Sequence, residues 1–341
     1  MSLTFTICSN NYLSQAIVLG NSLLKHNPDY TFKICLVDRK IVEIDYASIP
    51  FEIIEVQNIG MVAFEEMFKR YNIIELNTAV KPFCFNFFFK KVPDAELVFY
   101  LDPDIVVYNP FMELESALIE NEIVITPHFT SPINDNKNQA ETDFLNSGLY
   151  NLGFLGLKKG EESKKLLSWW SERLIDKAFI NLEKGMFTDQ IWINFVPLFF
   201  NKVHILKNPG YNMAYWNLHE RLLSDKLEVI NNNIVYPLIF YHFSGYNPLS
   251  PEILSRYQNR FTFENRLDIV NLFKGYTKDL IDNNYLTYIQ YPCIYVVEKQ
   301  KLDRQLYLDF KRSIPFCKRV IRGLALRFIK LFKINIEYYT K

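Results

Sequence analysis

Apolar positions in the first hundred residues fall into short β-rich runs that alternate with stretches of helical period. Leu3 to Cys8 reads as a strand, polar Ser9, Asn10 and Asn11 follow, and Ile17, Leu19 and Leu23 carry a helical pattern to His26. Thr31 to Asp38 and Phe51 to Val56 repeat the strand signal. This alternation predicts an α/β fold on a parallel or mixed sheet with helices on its faces. Ligands of such sheets gather at the carboxyl ends of the strands, where Asn10, Asn11, Tyr12 and Asp38 are placed to contact a nucleoside. Asn10 and Asn11 are equally suited to capping the helix that follows.

Further on, Thr78 to Lys91 predicts an aromatic-rich helix with Pro82 in its first turn, and Lys81 near its start is a candidate phosphate partner. Leu97 to Leu101 is an apolar run that delivers Asp102-Pro103-Asp104, and Ile105 to Tyr108 resumes the strand pattern. Ionised carboxylates beside a buried strand require a cation, basic partners or open solvent. A surface turn is the plainer alternative, since Asp and Pro both favour turns. A D-x-D triplet arises by chance about once in a chain of this size. Its surroundings therefore decide what it means.

Asn146 to Leu157 is a polar, glycine-bearing turn that leads into an apolar strand. The chain has only 11 glycines, so Gly148, Gly153 and Gly156 together predict close backbone approach. A helix through Leu166, Trp169 and Trp170 comes next, and Asp189-Gln190 opens another apolar stretch, with N-capping as the simple role for Asp189. Leu238 to Pro248 places His242 at the end of a buried strand, beside a turn. No internal repeat or low-complexity linker divides this part, and residues 1–250 read as one domain. Residues 251–341 are expected to be mostly helical and to end in a basic amphipathic tail, Lys318 to Lys333, suited to an anionic membrane surface.

The bulk numbers narrow the classes. With 49% hydrophobic residues in 341, the chain can bury a large core. Its 38 basic and 38 acidic residues, a formal net charge of +0, argue against a nucleic-acid-binding surface. Five scattered cysteines without metal-finger spacing read as buried free thiols in a reducing compartment. The N-terminus enters a strand without a leader pattern, and no apolar run reaches the ~18 residues that span a bilayer. A cytoplasmic location, with membrane contact at most peripheral, is expected.

In order along the chain, the N-terminal strand and polar loop, Lys81, Asp102/Asp104, Tyr150-Asn151-x-Gly153, Asp189-Gln190 and His242-Phe-Ser-Gly245 resemble the family 8 glycosyltransferases, the group that contains glycogenin. The likeness covers roughly residues 1–250 and lies in motif order. It implies the A-type glycosyltransferase fold, a single Rossmann-like nucleotide-binding domain with a central mixed sheet. It also implies a UDP-sugar donor, Mn²⁺ (or Mg²⁺), and transfer of glucose or galactose to a glycan or lipid-linked acceptor with retention. Asp102, Asp104 and His242 are then the metal ligands, with Asn10, Asn11, Tyr12, Asp38, Lys81 and Gly245 on the donor side. Asn151, Asp189 and Gln190 line the sugar and acceptor side; Asp189 as nucleophile and front-face attack steadied by Gln190 are both open. Two departures stand out: proline in the middle of the D-x-D, and no lysine after Gly245 to steady the leaving diphosphate. The competing classes are a haloacid-dehalogenase-like phosphatase, whose strand also ends in D-x-D, and a catalytically inactive sugar- or partner-binding module.

Overall fold

The computed structural model describes residues 1–313. Its core is a seven-stranded sheet of β1 (Ser2–Cys8), β2 (Thr31–Leu36), β3 (Glu52–Glu55), β4 (Leu97–Leu101), β6 (Ile123–Ile125), β7 (Phe154–Lys158) and β8 (Val203–Ile205). The strand order is β8-β6-β7-β4-β1-β2-β3, and β7 alone runs antiparallel to its neighbours. Between β4 and β6 the chain forms β5 (Ile105–Val107), which leaves the main sheet to pair antiparallel with β9 (Phe240–His242). The predicted mixed α/β architecture is present.

Helices cover both sheet faces because the strands are apolar on both. On β4 the period of two is explicit. Phe99 and Leu101 join the cluster that buries Leu13, Ile17 and Leu23 of α1 (Leu13–His26). Tyr100 points the other way, its ring tilted against Phe5, which in turn meets Phe85 and Phe88 of the helix Lys81–Lys91 at centroid distances of 4.8 and 5.0 Å. The single helix expected over 78–91 is two, α2 (Ile73–Ala79) and α3 (Lys81–Lys91), with Pro82 at the start of the second. Proline there lacks only an N–H that a helix start leaves unused, so α3 begins cleanly.

The compact unit continues past residue 250, the boundary drawn from the motifs, to Tyr295; the described residues from Val296 belong to a second unit. The reason is a second apolar cluster. Leu272, Phe273, Tyr276 and Leu280 of α4 (Val270–Asp282) pack with Val106 of β5, Tyr241 of β9, Trp216 and Phe243. Amphipathic spacing on α4 is what makes that burial possible. Cys8, Cys35, Cys84 and Cys293 are buried, as expected; Cys317 and the basic stretch 318–333 lie outside the described residues. Among the described residues no helix is long and apolar enough to cross a membrane.

Candidate functional site

The D-x-D emerges where β4 ends and the chain turns into β5. Asp102 N donates to the carbonyl of Gly153 at 2.8 Å, and Ile105 N closes the turn onto Asp102 O at 3.2 Å. Strand pairing brings the distant histidine in. In the β5/β9 register His242 lies opposite Ile105, and Phe243 N donates to Asp104 O at 2.9 Å. His242 Nε2 therefore sits 3.0 Å from Asp104 Oδ1 and 3.7 Å from Asp102 Oδ2. Ligand atoms of the three side chains fall within 4.8 Å of one another. Residues 140 positions apart in sequence form one cluster.

The donor chemistry of this cluster fits a divalent cation. Two carboxylates and one imidazole suit Mn²⁺ or Mg²⁺. Among the described residues, the Asp102 carboxylate also meets the Tyr100 hydroxyl, which donates to Oδ1, and the Lys81 ammonium at 3.9 Å. Burial by itself pulls the His242 pKa down, but Asp104 and Asp102 outweigh it and hold it above the ordinary value. The carboxylates would exert the same pull on a metal. Gly153 makes the approach possible: a Cβ there would fall 2.4 Å from His242 Cε1 and 2.6 Å from Nδ1. The glycine clustering noted in the sequence has this cause at position 153.

Lys81, Asp189, Asn151 and Gln190 lie around the 151–153 segment that Asp102 N bonds, and each is already engaged: Lys81 with Asp189, Gln190 and Asn151 with other partners. Lys81 is 2% exposed; its ammonium pairs with Asp189 Oδ2 at 2.8 Å, donates to Leu152 O at 2.8 Å and lies 4.5 Å from the centre of the Tyr100 ring. Asp189 caps no helix. Burial raises its pKa while Lys81 opposes the shift. Gln190 accepts from Leu152 N at 3.2 Å and donates to Ser147 O at 2.9 Å, so both ends of its amide brace the 147–152 loop. Asn151 Oδ1 accepts from Gly153 N and from Asn212 Nδ2, each at 3.0 Å, and its amide meets His128 Nε2 at 3.2 Å. Buried His128, held neutral by a pKa lowered to about 3 through desolvation, accepts that contact.

The N-terminal loop divides. Asn10 is buried, with its amide bound to Arg39 O and its carbonyl to the Tyr46 hydroxyl, so it caps nothing. Asp38 is buried with it. Asn11 and Tyr12, by contrast, line an open cavity of about 290 Å³ with Asp104 and Gly245. Gly245 has φ +75°, and a Cβ there would meet Ser255 Oγ and Tyr257 Cδ2 at 2.6 Å. The segment 255–257, which carried no assignable motif, thus folds onto the His242 turn and adds Arg256 and Tyr257 to the cavity. Trp216, T-shaped to both His128 and His242, packs against the histidine of the cluster rather than lining the cavity, and sequence reasoning missed it. No sequence signal marks these residues; only the fold does.

The class that fold and site define is therefore a mixed α/β protein with an Asp-Asp-His cluster able to hold a cation at the carboxyl edge of its sheet. No protein-family model matches the chain. Among curated proteins it is similar to the uncharacterized protein YfnF of Bacillus subtilis (strain 168), 30% identical over 179 residues, which are 50% of this chain and 56% of YfnF. The matched region thus spans little more than half of that relative. It is also 24% identical to YfnD of the same organism over 250 residues, 71% of this chain and 76% of YfnD. Among solved structures it is similar to the galactosyltransferase LgtC in complex with donor and acceptor sugar analogs, with a TM-score of 0.46, 16% identity and coverage of 82% and 95% of the two chains.

Proposed function

We propose that this chain is a glycosyltransferase that moves a hexose from a nucleotide sugar, with UDP-glucose or UDP-galactose as first candidates, to a glycan or lipid-linked acceptor with retention. The observation that carries the proposal is the convergence of Asp102, Asp104 and His242 at the end of β4. The ordered motifs of the family 8 resemblance support it. Asp102, Asp104 and His242 would hold Mn²⁺ or Mg²⁺. When bound, such an ion neutralises the charge on a leaving diphosphate as a Lewis acid, without a proton donor.

The remaining residues position and enclose. The bond from the sugar C1 to the phosphate oxygen breaks and its electron pair stays with the diphosphate. The acceptor oxygen bonds to C1 and gives its proton to the departing phosphate. Lys81 and Gln190 hold the 147–152 loop as a fixed wall on the sugar side. Asp189, turned towards Lys81 and 1% exposed, suits this structural work better than direct attack on C1. That arrangement favours the front-face route over a double displacement. A phosphatase is not favoured: it needs its first aspartate as a free nucleophile, whereas Asp102 here shares a histidine with Asp104. The test is a nucleotide-sugar panel with Mn²⁺, scored by released nucleoside diphosphate. Release from one sugar nucleotide, dependent on added metal, is the expected result; none from any donor would sink the reading and leave an inactive binding module.

A further inference from the structure

We propose that Arg256 is the diphosphate-binding cation of the donor cavity, a role the sequence offers no lysine after Gly245 to fill. The inference rests on the glycosyltransferase reading. The first observation is one of elimination. Lys81, the basic residue expected to meet the donor, is buried and committed to Asp189 and to Leu152 O. Among the described residues that line the cavity beside Asp104, Arg256 is the only basic side chain. It is exposed, and no carboxylate of a described residue lies within ion-pair distance of it. Its charge and that of Asp104 nevertheless act on one another across the cavity.

The second observation is that Arg256 is held in place. Its backbone N–H donates to Gly245 O at 3.2 Å, which ties it to the turn that follows the metal-binding histidine. Ser255 Oγ donates to Ser244 O at 2.8 Å and fastens the two segments again. The guanidinium donates from Nη2 to the Tyr257 hydroxyl at 2.7 Å and lies 4.8 Å from that ring's centre. A guanidinium oriented by one bond keeps its other N–H donors for an anion, and its planar fork matches phosphate oxygens. Gln15 adds an independent sign that the cavity is built for a ligand. It is 7% exposed, lines the same cavity, and its Oε1 has no hydrogen-bond partner. A ligand hydroxyl would satisfy it.

The chemistry recognised is an organic diphosphate bound with a divalent cation, the cation lying towards Asp104 and the phosphate oxygens reaching Arg256. The probe is inorganic pyrophosphate with Mg²⁺, titrated into the full chain and its Arg256→Gln and Arg256→Lys variants, alongside turnover in the nucleotide-sugar panel. Arg256→Gln is expected to weaken pyrophosphate binding roughly 10- to 100-fold, the range of a charge-assisted hydrogen-bond loss, with Arg256→Lys recovering part of it. Its melting temperature should match the wild type, because the side chain is exposed. Equal pyrophosphate affinity in wild type and Arg256→Gln overturns the inference and leaves the transferase reading standing. So does a wild type that turns over a nucleotide sugar yet binds no pyrophosphate. Absence of both binding and turnover overturns the two together.

Discussion

Two acidic sites leave neighbouring positions at the same edge of the sheet, and they have opposite fates. Asp38 follows β2 and Asp102/Asp104 follow β4, strands that flank β1 on either side. Asp38 receives three backbone N–H donors, from Asn10 at 3.2 Å and from Arg39 and Ile294 at 2.9 Å. It is 1% exposed and serves as a knot between the first loop and Ile294, near the end of the unit. No backbone N–H of the described residues reaches the Asp102 or Asp104 carboxylates, which retain 30% and 24% of their side-chain exposure. A carboxylate saturated by fixed donors stabilises a fold. One left with an imidazole and an open cavity is available to a cation. Topological position alone does not separate the two; the supply of local donors does.

The largest expected effect is on the open site. Asp104→Asn should abolish Mn²⁺ binding and lower donor turnover on the order of a thousandfold, with circular dichroism and melting unchanged. Near-normal turnover would remove the D-x-D from the chemistry. Next comes the buried pair beside it. Asp189→Ala leaves the Lys81 ammonium buried without its carboxylate and should reduce unfolding free energy by ~3–5 kcal/mol in urea titrations. Pairing it with Lys81→Met should restore much of that stability, and a double variant as unstable as the single would show that the pair is not the cause.

Gly153→Ala sharpens the comparison further, since its Cβ would press on His242 and leave Asp38 alone. Calorimetry should show Mn²⁺ affinity falling about 10- to 100-fold, as for other groups that orient a metal ligand. A drop in melting temperature with unchanged Mn²⁺ affinity would reduce Gly153 to a packing residue. Asp38→Asn should do the reverse: lose ~1–3 kcal/mol of stability and leave Mn²⁺ affinity intact. Its pH signature is smaller and has a definite sign. Burial raises the Asp38 pKa above 3.8, against the opposing bonds from Ile294, Asn10 and Arg39. Stability tied to this group is therefore full below pH 3.8 and is lost as pH rises through the raised folded value. The Asn variant should lack that component in a melting series from pH 3 to 7.

Much of the site was legible because short-range rules govern its parts. An apolar run ending in Asp102-Pro-Asp104 announces a strand and a charged edge, and the crowding of Gly148, Gly153 and Gly156 announces backbone contact. Asn10 and Asp189 were harder: each has a plausible capping role in sequence, yet Asn10 binds Arg39 O and Asp189 binds Lys81. Lys81 shows the limit from the other direction. Its type and place suggest a phosphate partner, but its surroundings turn it inward.

The sequence by itself determined the alternation of strands and helices, the acidic turn after β4 and the likeness in motif order to known sugar transferases. These follow from periodicity and local chemistry, which act within a few residues. Only the tertiary structure decided that His242 stands 3.0 Å from Asp104, that Asp38 is a knot, and that Arg256 reaches the cavity. Each of those outcomes depends on a pairing register or a loop packed across long separations. Such contacts are selected by burial of the whole core, so no local pattern encodes them.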